Sequence, residues 1–80
     1  MEQKDRVIFY PNPTKGNLLI ELPNINEANV LIYTLAGKLI HVQKINQMNH
    51  TLNLHELHKG IYLMEIINEK YVAAEKLVIK

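Results

Sequence analysis

The stretch ANVLIYTLAGKLIHVQKI, residues 28–45, decides the fold. In its first half Ala28, Val30 and Ile32 alternate with Asn29, Leu31 and Tyr33, a period of two that only an extended strand turns into two faces. Both rows are largely apolar, which suits a central strand covered on more than one side. The linker Thr34-Leu35-Ala36-Gly37-Lys38 places glycine where a type I turn followed by a bulge needs a left-handed residue. The chain therefore returns through KLIHVQKI as the antiparallel partner of its own preceding strand.

Working outward, the same grammar repeats. VIFY from Val7 and NLLIEL from Asn17 precede the hairpin, with Leu18, Ile20 and Leu22 on one face and Pro23-Asn24 ending the run. After it come NHTLNL, then IYLMEII launched by Gly60, in which Tyr62, Met64 and Ile66 share a face. A short turn at Asn68-Glu69-Lys70 leads into YVAAEKLVIK, with Leu77 and Ile79 on one face and Lys76, Val78 and Lys80 on the other. HELHKG, residues 55–60, carries helix formers ahead of glycine and predicts a single turn of α- or 3₁₀-helix. AAEKLVIK has some helical period, but its β-branched end and its neighbours argue for a strand. About seven short strands at intervals of roughly ten residues predict an all-β antiparallel sandwich.

YPNPTKG, residues 10–16, interrupts this rhythm. Each proline fixes φ near −65° and removes a donor, and each drives the residue before it towards extended geometry. Gly16 then closes the bend without a Cβ clash. The segment is chemically inert, so its content is shape.

Composition sets the limits. Eighty residues, 48% hydrophobic and 21% charged, make one domain with a modest core. Cysteine and serine are both absent, which removes disulfides, thiolate metal sites and the usual acyl-transfer nucleophiles. Thr14, Thr34 and Thr51 remain, none with a base at an interpretable spacing. The nine Lys and Arg are interspersed with eight Asp and Glu, so the sequence shows no continuous field for nucleic acid or anionic lipid. No apolar run approaches the ~20 residues of a membrane helix. MEQKDR lacks the apolar core of a secretory signal, and residues 1–6 read as the tail of a linker ahead of a domain at 7–80.

The titratable residues are weighed against plainer roles. His41, His50, His55 and His58 invite a metal reading, because His55 and His58 share a face if their turn is helical. Solvated imidazoles in a polar loop are the stronger reading, and no cofactor or metal is expected. Glu21, Glu65 and Glu75 could pair for acid–base chemistry, but each reads as a solvent-facing strand residue. Tyr10, Tyr33, Tyr62 and Tyr71 could stack on a sugar or base; half-buried sheet tyrosines account for them better. The distinctive residues are turn formers, so the chain reads as a recognised object rather than a catalyst.

In this order and spacing the residues resemble a known family, the C-terminal sorting domains (type A) of proteins exported by the type IX secretion system of certain Gram-negative bacteria. The resemblance runs from Val7 to Lys80. It rests on Tyr10-Pro11-Asn12-Pro13 with Gly16 and Ile20; on Tyr33, Gly37, Lys38 and Ile40; on Leu54, Leu57, Gly60, Ile61, Tyr62 and Ile66; and on the ending Lys76-Leu77-Val78-Ile79-Lys80. Thr34 stands where the family usually has aspartate, and either side-chain oxygen caps the turn.

The resemblance implies a seven-stranded Ig-like sandwich at the C-terminus of a larger protein, carried through the periplasm and across the outer membrane to the cell surface or beyond. It implies an address read by the outer-membrane translocon, after which a surface sortase removes the domain. The implied partners are translocon, sortase and an N-terminal cargo domain; nucleic acid and membrane insertion are not among them, while open strand edges leave room for self-association. Tyr10, Pro11, Asn12, Pro13, Gly16, Gly37, Lys38, Gly60, Tyr62, Lys76, Val78 and Lys80 form the expected recognition set, with the final strand and the proline bend offering exposed backbone in fixed geometry. The rival readings are an Ig-like adhesion or carbohydrate-binding module and, less consistent with the missing Ser and Cys, a small hydrolase.

Overall fold

The computed structural model describes residues 8–22, 27–47, 49–69 and 71–80. Seven strands follow one another: β1 Ile8–Tyr10, β2 Asn17–Glu21, β3 Ala28–Thr34, β4 Leu39–Ile45, β5 Asn49–Asn53, β6 Gly60–Asn68 and β7 Tyr71–Ile79. The expected linker at 1–6, the strand start at Val7, the stop at Pro23-Asn24 and Lys70 of the last turn lie outside the described residues.

The described strands pair antiparallel, in a three-stranded sheet ordered β1-β2-β5 and a four-stranded sheet ordered β4-β3-β6-β7. The fourth strand lies beside the third, whereas in the constant-type immunoglobulin arrangement it joins the sheet of strands one, two and five. β3 is central, as its two apolar rows require. The hairpin that decided the fold is present: the Gly37 N–H donates to Thr34 O at 2.9 Å, the Thr34 N–H to Lys38 O at 2.9 Å, and Gly37 has φ +95°. The pairing shifts register between Ile32 and Tyr33, the irregularity that such a turn imposes. Thr34 caps it, its Oγ1 accepting from the Lys38 N–H at 3.1 Å.

The core is what the alternation specified. Leu18, Ile20 and Leu22 from β2 and its end, Val30 and Ile32 from β3, Leu52 from β5, Met64 and Ile66 from β6, and Leu77 and Ile79 from β7 are all buried. At about 1.5–3 kcal/mol for each large aliphatic side chain taken from water, this row of alternate positions supplies the drive for collapse.

Two local expectations fail. HELHKG forms no helix: the Leu57 N–H donates to Leu54 O at 3.0 Å, which closes one isolated turn, and Leu57 packs on the core. Six residues ending in glycine are too few for helix nucleation when the flanking strands fix both ends. His41 and His50 are not loop residues; they lie on β4 and β5 and are half-buried. Gln43 bridges them, its Nε2 lying 2.9 Å from His50 Nε2 and its Oε1 3.3 Å from His41 Nε2, so the sheets are tied along the side where β4 and β5 meet.

Candidate recognition site

Strand direction determines where the loops gather. Because successive strands alternate in direction, the connections β1–β2, β3–β4 and β5–β6 and the end of β7 all emerge at one end of the sandwich. The registers agree: Thr34 faces Tyr62, Gly60 faces Ile79, and Asn17 faces Asn53. The proline bend, the Gly37-Lys38 turn, the Gly60 turn and Lys76–Lys80 therefore share one end, called here the motif end. Sequence spacing separates these segments by tens of residues, and the topology collects them.

The proline segment also holds the last strand. Asn12 reaches the outer edge of β7 as a strand would: its Nδ2 donates to Lys76 O at 2.8 Å, and its Oδ1 accepts from the Val78 N–H at 3.0 Å. Thr14 continues the pairing in parallel, its N–H donating to Val78 O at 2.9 Å and its carbonyl accepting from the Lys80 N–H at 2.8 Å. The prolines flanking Asn12 have no N–H to offer, so a side-chain amide supplies the donor that a strand backbone would supply. Both Tyr10–Pro11 and Asn12–Pro13 bonds are cis. The expectation of exposed backbone on the final strand is thus corrected: between Lys76 and Lys80 the outer edge is occupied by the strap Asn12–Thr14, and the lysine side chains are what remain exposed.

Thr14 is the residue the sequence reading missed. It is fully buried, and its Oγ1 donates to Asn17 O at 2.6 Å while accepting from the Gly16 N–H at 3.1 Å. Threonine two residues ahead of a glycine is the signature of a side-chain-closed turn, a signal available in PTKG. Gly16 O accepts from the Leu54 N–H at 2.6 Å, joining this turn to the β5–β6 loop. His55 sits against Gly16 and is fixed by Asn53, whose Oδ1 lies 2.7 Å from Nδ1 and 3.0 Å from the His55 backbone N–H that donates to it. Tyr62 is buried and donates to His58 O at 2.6 Å, so the third loop is tied to the start of β6.

The remaining candidates do not converge. Tyr10 donates to Glu21 at 2.7 Å on one sheet, Tyr33 to Glu65 at 3.2 Å on the other, and Tyr62 is buried, so these three make no common platform; the side chain of Tyr71 lies outside the described residues. The hydrogen bond to Glu21 raises the Tyr10 phenol above its ordinary value; desolvation, then the bond to Glu65, does the same for Tyr33. These partnered carboxylates stand apart, and Glu75 faces Met64 rather than Glu65 across β6–β7. Among the described residues no group of three or more His, Cys, Asp or Glu could hold a metal ion.

The strap makes a measurable contribution. Asn12→Ala removes two partly exposed hydrogen bonds worth about 0.5–1.5 kcal/mol each, so urea unfolding should show a loss of about 1–2 kcal/mol. Asn12→Asp keeps the acceptor for Val78 but sets a carboxylate oxygen against the Lys76 carbonyl, and should cost at least as much as Asn12→Ala.

Residues 8–80 match the model of the family described as the secretion system C-terminal sorting domain. An ulvan lyase, NLR42, of Nonlabens ulvanivorans is 35% identical over 80 residues, which is 98% of this chain and 15% of that relative. The chain thus spans a small fraction of the length of the protein it matches.

Proposed function

The chain belongs to the family of secretion system C-terminal sorting domains, and on that footing we propose that it is the export address of a larger cargo, read at the motif end by the outer-membrane translocon of type IX secretion. The cargo precedes β1 and reaches the cell surface or the medium through the periplasm. Removal of the domain by a surface sortase then leaves the cargo attached or released, with the domain as substrate and never as catalyst.

One observation carries this reading. The three motif loops and the final strand are drawn to one end and fastened by Asn12, Thr14, Thr34 and Tyr62 rather than left as independent loops. A receptor that must accept unrelated cargos needs a surface whose geometry the cargo cannot alter. Hydrogen-bonded turns supply it, because their ordering entropy is lost on folding and not again on binding.

The test is a fusion of residues 8–80 to a passive carrier with a Sec signal, in a host with active type IX secretion. The carrier should appear outside the outer membrane. Retention in the periplasm, while the host's own cargos are exported, would overturn the reading.

A further inference from the structure

Net charge conceals a separation. The described lysines Lys15, Lys38, Lys59, Lys76 and Lys80 all lie at or next to the motif end, on the β1–β2, β3–β4 and β5–β6 connections and the last part of β7, and all are exposed. The described carboxylate side chains near them are Glu56 on the β5–β6 connection and Glu75, which precedes Lys76 on β7. The opposite end holds Glu21, Glu27 and Glu69 with Lys44, which pairs with Glu27 at 3.4 Å. Among the described residues that is the one ion pair, so the five motif-end lysines have no carboxylate partner.

We infer that the motif end is a cationic docking surface for a partner protein presenting carboxylates around the contact; this rests on the export reading above. Lysine side chains are rotamer-rich and strongly hydrated, and clustering them without counter-charges disfavours the isolated fold by mutual repulsion. At physiological salt the Debye length is about 8 Å, so the far carboxylates scarcely weaken the attraction at the motif end.

A protein surface fits better than a lipid surface. The lysines come one or two at a time from separate segments around a frame of bonded turns, a pattern suited to discrete carboxylates at fixed positions. Membrane adsorption needs apolar anchors that project past the basic residues; Leu35 does so at a loop tip, 72% exposed, whereas Tyr10, Leu39 and Ile61 are half-exposed on the strand ends behind the loops.

The experiment uses the carrier fusion with Lys15→Glu, Lys38→Glu and Lys59→Glu combined, the corresponding Gln triple, and Lys44→Glu as a control at the far end. None of these positions is buried, and the thermal midpoint of each purified domain checks folding. Export of the Glu triple should slow by at least about tenfold, the scale of electrostatic steering, with the Gln triple between it and the parent and Lys44→Glu unchanged. Parent-like export by the Glu triple would overturn the inference while leaving the export reading intact; failure of the parent fusion would instead sink the export reading. Co-sedimentation of the parent domain with phosphatidylglycerol vesicles, lost in the Glu triple, would overturn the protein partner in favour of an anionic headgroup.

Discussion

Truncation after Glu75 yields a chain that does not fold. The five missing residues include Leu77 and Ile79, 0% and 5% exposed, whose burial is worth about 1.5–3 kcal/mol each. They also carry the pairing of β7 with Gly60–Leu63 and every bond between the strap and β7, so the Asn12 side chain and the Thr14 backbone lose their partners together. A domain of this size has in total about 4–12 kcal/mol of stability at 0.05–0.15 kcal/mol per residue, and the combined loss consumes most of it. Amide spectra of the truncated domain should collapse towards random-coil dispersion, and chemical unfolding should lose its cooperative step. A native spectrum would refute this. It follows that loss of export on such a deletion does not identify a linear signal. Lys76→Ala with Lys80→Ala removes the exposed charges while sparing the buried row, at an expected cost within about 0.5 kcal/mol each.

Gly16→Val should be the most damaging single change at the motif end outside the hydrophobic core. Gly16 has φ +141°, where a β-branched residue is strained by about 1–3 kcal/mol, and its Cβ would overlap the His55 ring. That ring cannot swing aside freely, because Asn53 holds it through Nδ1 and through the backbone N–H. The turn would shift, carrying with it the Gly16–Leu54 bond and the seat of Thr14. A loss of about 2–4 kcal/mol in urea unfolding is expected from strain and broken bonds together. The double variant Gly16→Ala with His55→Ala should recover the part due to the ring but not the part due to φ. Full recovery would show that backbone strain plays no role.

Local chemistry made much of this fold readable. Alternation at 28–34 and 60–66 named the core residues, and Gly37 named the hairpin, because period and turn conformation are written within a few residues of each other. The helical turn expected at 55–60 failed for the converse reason. Its propensities were real, but Leu57 gains more by facing the core from a single closed turn than six residues gain by coiling. The recognition set was collected from motif positions without knowing that one end would hold them. The strap was not legible at all: Asn12 and Val78 are 66 residues apart, and nothing local says which edge a lone asparagine between prolines will meet. The lysines were equally opaque, since their clustering is a product of strand direction and cannot be seen in a linear count.

The alternation of strand direction has one more consequence. Ile8 is paired with Glu21 at the end of the sandwich remote from the bonded turns, so on the export reading the described chain begins at the back, away from the surface that is read. On that reading a bulky passenger joined there would cast no shadow on the front, and passengers could be exchanged without redesigning the tail. An addition behind Lys80 would stand in the doorway.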